Sequence, residues 1–161
     1  MVNLEDIRTA AASVPDPEIP VLTIEDLGVL RDVAWDDAGG VVVVITPTYS
    51  GCPAMAEISN DIKSTLGHIG VHDVRVETVL APAWSTDWIS DEGRTKLSTY
   101  GIAPPAPTRR DGPVPLTLVS VRCPQCNSSD TKLITAFGST ACKALRKCRS
   151  CEEVFDHVKP Y

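Results

Sequence analysis

Four cysteines constrain this chain more than any other feature. Cys123-Pro-Gln-Cys126 and Cys148-Arg-Ser-Cys151 are two C-x2-C pairs separated by 21 residues. Each pair places two thiolates on one side of a tight turn, and two facing turns complete a tetrahedral four-sulfur site. The sequence around them predicts short strands over 132–137, 144–147 and 154–158, the pattern of a zinc ribbon. A module of about 45 residues has little apolar core, so the metal supplies much of its folding free energy. Four thiolates close the coordination shell and leave no position for substrate, which makes structural zinc the favoured occupant. A rubredoxin-like iron or an iron–sulfur cluster uses the same donors and stays open on spacing alone.

The other two cysteines, Cys52 and Cys142, stand outside that pattern. Five of the six cysteines follow residue 120, and the start, Met1-Val-Asn-Leu-Glu-Asp-Ile-Arg, lacks a basic, apolar secretory leader. That clustering, without an export signal, favours metal or thiol chemistry over a disulfide framework and predicts a cytoplasmic protein. With 43% apolar and 22% charged residues, the 161-residue chain has ordinary globular composition, and no apolar run is long enough to span a membrane.

Charge is divided unevenly. Residues 1–108 hold 6 Lys/Arg against 16 Asp/Glu, and residues 109–161 hold 9 against 5. The split predicts two units with different partners, or with fields that attract each other. Gly101 to Pro115 carries five of the thirteen prolines and is expected to be a semi-extended linker. It would part an N-terminal domain, 1–100, from a C-terminal ribbon, 116–161.

In the first domain, Leu4, Ile7 and Ala11 share a helical face, and Pro15 stops that helix. A strand is expected over 27–35 with facing that alternates residue by residue. A hairpin at Asp36–Gly40 leads to the β-branched run Val41–Ile45. Met55, Ile58, Ile62, Leu66 and Ile69 predict a second helix over 53–66. A third strand over 72–80 and a helix within 88–100 complete an α-β-β-α-β-α order. The fold class is therefore a small α/β (α+β) layer domain followed by a β-rich ribbon.

Cys52 lies between the buried strand and the second helix. Pro53 suits a first helical position, which sets Cys52 at or beside the N-cap. Exposed N–H groups and the helix dipole there are expected to lower the thiol pKa, with Ser50 and Gly51 leaving the sulfur open. Asp16-Pro-Glu18 supplies two carboxylates in a stiff loop, a solvated turn or a partial site for a transition metal. Cys142, in Phe137-Gly-Ser-Thr-Ala-Cys-Lys143, is either a small buried hydrophobe or a thiol at a tip that reaches a partner. His68 and His72 are expected at the surface, and His157 is expected to decorate the last strand.

Together these residues resemble a known family. Asp16-Pro-Glu18, Asp26-Leu-Gly28, Thr48-Tyr-Ser-Gly-Cys-Pro53 and Pro82-Ala-Trp-Ser-Thr-Asp-Trp88 are similar to the motifs of the SufT-like domain of iron–sulfur targeting factors. The ribbon with Phe137-Gly-Ser-Thr-Ala-Cys-Lys143 narrows the resemblance to the PaaD family of phenylacetate degradation. The resemblance implies an accessory that matures or repairs the iron centres of phenylacetyl-CoA epoxidase. Its partners would be the di-iron oxygenase component, the iron–sulfur reductase component, or both. It further implies a ribbon metal on Cys123, Cys126, Cys148 and Cys151, and metal handling by Cys52 with Asp16 and Glu18. Cys142 is added here as a second thiol at a labile iron or cluster site shared with Cys52. Rival readings are an integral electron-transfer or thiol-active subunit, and a nucleic-acid-binding ribbon. Arg146-Lys-Cys-Arg149 is the one basic cluster behind the latter, and the acidic first domain opposes it. Self-association into a homo-oligomer stays open.

Overall fold

The computed structural model describes residues 2–106 and 120–161. Two compact units emerge, one of residues 1–84 and 88–93, the other of residues 85–87 and 94–161.

The first unit begins with α1 (Leu4–Ala12). Asn3 accepts the Asp6 N–H at 2.9 Å and the Asp6 side chain reaches back to the Asn3 N–H, a reciprocal capping box. Ile7 and Ala11 form its buried stripe. Strands β1 (Leu30–Trp35), β2 (Val41–Ile45) and β3 (Val74–Thr78) make one sheet with β2 in the middle. β2 pairs antiparallel with β1 and parallel with β3, so α2 (Ala54–His68) is the crossover between parallel neighbours. Val43 faces Val33 on one side and Val76 on the other. The helix presses Ala54, Ile58, Ile62 and Leu66 into the core.

The alternating pattern expected for β1 is interrupted. A register shift between Leu30 and Asp32 places Val29 and Leu30 both inside, with Arg31 and Asp32 both outside. The bulge aims Arg31 at Trp88, whose ring lies 3.9 Å from the guanidinium carbon. Close by, Gly28 has φ +69°, and a Cβ there would come within 2.6 Å of the Trp88 Cβ. The Trp84 indole N–H donates to the Leu27 carbonyl at 2.8 Å. Leu27, Gly28, Trp84 and Trp88 thus form one packed corner.

The second unit contains most of α3 (Asp91–Tyr100) and a sheet of β4 (Thr131–Thr135), β5 (Lys143–Cys148) and β6 (Val154–Val158), all antiparallel. The Arg94 guanidinium donates to the carbonyls of Thr86 and Pro105 at 2.8 and 2.7 Å. Ile102 and Ala103 are buried. Ala103 donates to the Asp156 carbonyl and accepts from the Val158 N–H, adding a short edge to β6. The first residues of the expected proline-rich linker are therefore part of a sheet edge, because buried Ile102 and Ala103 anchor them. The rest of that stretch, 107–115, lies outside the described residues. Among the described residues no helix is long and apolar enough to cross a membrane.

Candidate metal centres

The four ribbon sulfurs lie within 4.8 Å of one another. Cys123 Sγ is 3.7 Å from Cys151 Sγ, and Cys126 Sγ is 3.6 Å from Cys148 Sγ. A tetrahedron with Zn–S bonds of about 2.3 Å has edges of about 3.8 Å, so these sulfurs are spaced for one zinc ion.

Each knuckle achieves this in the same way. Cys123 donates its N–H to the Ser128 carbonyl at 2.9 Å, and Cys148 to the Glu153 carbonyl at 2.8 Å. Asn127 and Glu152, each just after the second cysteine of its pair, have φ of 60° and 65°. That left-handed residue turns the chain back so that both sulfurs point inward. Ser128 and Ser150 join the two knuckles through their hydroxyls at 2.8 Å.

The thiols are tuned by crowding. Backbone N–H groups of Cys151 and Ser150 aim at the Cys148 sulfur and, with its neighbours, bring it down to about 6. At Cys151 the Glu153 N–H favours the thiolate but is outweighed by desolvation and the surrounding sulfurs, which push it up to about 12. Of the two, the Cys148 thiol is thus shifted toward the thiolate and the Cys151 thiol away from it. A divalent cation would supply the charge that lets all four ionise.

The Cys52 region is built differently. Gly51, at φ +78°, completes a turn in which the Cys52 N–H donates to the Tyr49 carbonyl at 3.2 Å. The loop leaves the carboxyl end of β2 beside β3, a usual ligand position in parallel β-α-β units. Pro53 is itself the N-cap of α2, leaving Cys52 one residue outside the helix. Contrary to expectation, the thiol is buried, with 9% exposure, and its pKa is raised. Burial dominates; the Glu18 carboxylate adds to the rise, while the Ala54 N–H and the hydroxyls of Tyr49 and Thr48 oppose it. Pro53 has no N–H to offer, so the helix start contributes one donor where several were anticipated.

Asp16 is not a solvated turn residue. It is buried, and its Oδ1 accepts the N–H groups of Glu18 at 2.9 Å and Ile19 at 2.7 Å. Its carboxylate fixes the loop that presents Glu18. Among the described residues the four ribbon cysteines are the one group of three or more potential ligands that converge. Cys52, Asp16 and Glu18 form no ready-made cage. What the structure brings together is a protonated thiol, two hydroxyls and a carboxylate.

Cys142 is buried at 8% exposure, with its sulfur 3.1 Å from the Thr140 hydroxyl. The small-residue loop shields it by folding back: Gly138 donates to the Lys143 carbonyl at 2.7 Å, and Ser139 caps Asp156 at 3.0 Å. His157 is buried too, and burial, with the Arg146 charge next to it, holds its pKa down to about 4. The expectation that His157 decorates the last strand misses this burial, because the bridge to Ala103 leaves no local signal in the sequence. His68 and His72 are exposed.

Comparison with known proteins agrees with both halves. The PaaD zinc beta ribbon domain matches residues 116–159, and the iron-sulfur cluster assembly protein family matches residues 4–80. An Escherichia coli (strain K12) protein, named as one of the subunits of 1,2-phenylacetyl-CoA epoxidase, is 46% identical over 98% of this chain and 93% of its own. The Bacillus subtilis Fe-S protein maturation auxiliary factor YitW is 36% identical over 58% of this chain and 91% of its own. A Bacillus anthracis DUF59 domain of unknown function superposes with TM-score 0.54 at 29% identity, covering 58% of this chain and 90% of that one. The two-domain match, carried along nearly the whole length, places this chain in the PaaD family.

Proposed function

We propose that this protein is an accessory factor of a phenylacetyl-CoA epoxidase that assists assembly or repair of the client's iron or iron–sulfur centres. The supporting names belong to relatives: an epoxidase component along the full length, and Fe-S maturation factors over the first domain. The observation that carries the reading is Cys52, a single buried thiol on a loop at the strand ends, within electrostatic reach of the Glu18 carboxylate. Thiolate plus carboxylate suits transient binding of iron, with Asp16 holding Glu18 in place. Iron is the cargo here. An incoming cation displaces the Cys52 proton and turns Glu18, which otherwise opposes ionisation, into a second ligand. Too few donors converge to retain the metal, and that suits a hand-over site. Cys142 is assigned to the same handling chemistry as a second thiol, and zinc on the ribbon cysteines is assigned a structural role.

The test is the iron content and specific activity of epoxidase produced with each variant. Cys52→Ser should lower both at least tenfold, and Cys142→Ser should do so comparably. Full loading by Cys52→Ser would overturn the proposal; full loading by Cys142→Ser alone would remove only Cys142.

A further inference from the structure

Among the large apolar side chains that the second unit exposes, two lie near one cation. Phe137, just after β4, is 70% exposed, and Tyr161 is 44% exposed. Lys159 Nζ lies 4.7 Å from the Phe137 ring centre and 5.9 Å from that of Tyr161. The three side chains form an aromatic–ammonium–aromatic stack on the surface. Its backbone is held firmly: the Lys159 N–H donates to the Cys142 carbonyl at 3.0 Å, and the Tyr161 N–H to the Thr86 hydroxyl at 3.3 Å.

An exposed phenylalanine is costly to leave in water, and rigid aromatic side chains beside a cation are frequent anchors at protein interfaces. The charge balance names the kind of partner. Residues 120–161 hold 7 Lys/Arg against 4 Asp/Glu. Three of those acids already face cations: Asp130 with Arg149, Glu152 with Lys147 and Asp156 with Lys143. Lys159 forms no ion pair with any described residue, and rings flank its ammonium. A carboxylate arriving from outside would complete it, while apolar neighbours of that carboxylate would cover Phe137 and Tyr161.

We propose that Phe137, Lys159 and Tyr161 are the docking surface for an acidic segment of the client protein, with one carboxylate seated on Lys159 between apolar side chains. This rests on the accessory reading above for the client's identity, but assigns recognition to residues other than the iron-handling thiol. Recognition and delivery would then be separable by mutation.

The experiment is binding of the purified, zinc-loaded full chain to the purified epoxidase components, measured at two salt concentrations. Wild-type binding should weaken with salt. Phe137→Ser and Lys159→Glu should each weaken it at least tenfold, Lys159→Arg should retain it, and Cys52→Ser should bind as wild type. Phe137 is 70% exposed and Lys159 is partly exposed, so zinc content and circular dichroism should be unchanged. Undiminished binding by Phe137→Ser and Lys159→Glu would overturn the surface while leaving the accessory function intact. So would wild-type chain that loads iron through Cys52 without binding any component, or a Phe137→Ser effect confined to self-association.

Discussion

The two units solve the problem of staying folded by different means. The first buries a continuous hydrocarbon core, including Ile7, Leu22, Ile24, Ile45, Ile58, Ile62 and Leu66, between one sheet and two helices. The second has a small core of Ala103, Cys123, Cys148 and Phe155, in which two of the four members are metal-site cysteines. Its thiols face each other, whereas the Cys52 thiol faces a carboxylate and hydroxyls. The difference teaches what each thiol is committed to: Cys123 and Cys148 belong to the small core of their unit, whereas Cys52 lies outside any cluster of converging thiols.

Three experiments would break or sharpen this contrast. The largest effect is expected from Cys148→Ser. Structural zinc contributes about 10–16 kcal/mol to zinc-finger folding. Losing one thiolate should take zinc from one per chain to near zero and collapse amide dispersion for residues 120–161, with the first unit's spectrum kept. An ordered, zinc-free ribbon would show that hydrocarbon suffices there as well.

The second is acid sensitivity. His157 is neutral in the fold, with a pKa of about 4 against an ordinary 6.5, so the unfolded chain binds the extra proton. Its contribution is complete above pH 6.5 and is lost as pH falls through the window from 6.5 to 4. At about 1.4 kcal/mol per unit this amounts to about 3.5 kcal/mol at most. Urea unfolding of the second unit should record the slope, and His157→Gln should flatten the part that zinc release does not explain. A slope unchanged by the substitution would remove His157 from the account.

The smallest effect is Cys52→Ser on stability. The side chain is buried, but the change removes little volume and keeps hydroxyl partners, so less than about 1.5 kcal/mol is expected by thermal unfolding. A larger loss would make Cys52 a structural residue first.

Much of this was legible in advance. The ribbon strands, the convergence of the four cysteines and the helix-strand order follow from spacing and periodicity, which report local geometry directly. Three features were not legible, each for a physical reason. The β1 bulge turns Arg31 onto Trp88, a partner remote in sequence. The direction of the Cys52 pKa depends on burial outweighing one N–H donor, a balance that sequence position does not contain. The burial of Cys142 and His157 comes from a loop folding on Asp156 and from Ala103 closing an edge, both long-range pairings.

That last pairing has a consequence for how the chain can be cut and recombined. The match to the ribbon family begins at residue 116, but the sheet it contains borrows an edge from Ala103 and a clasp from Arg94. A gene fragment excised at the family boundary would encode the four cysteines without Ala103, which packs against Cys123, Cys148 and Phe155. Grafting the ribbon onto another protein should therefore begin near residue 94, and natural shuffling of this module would have had to carry the same flank.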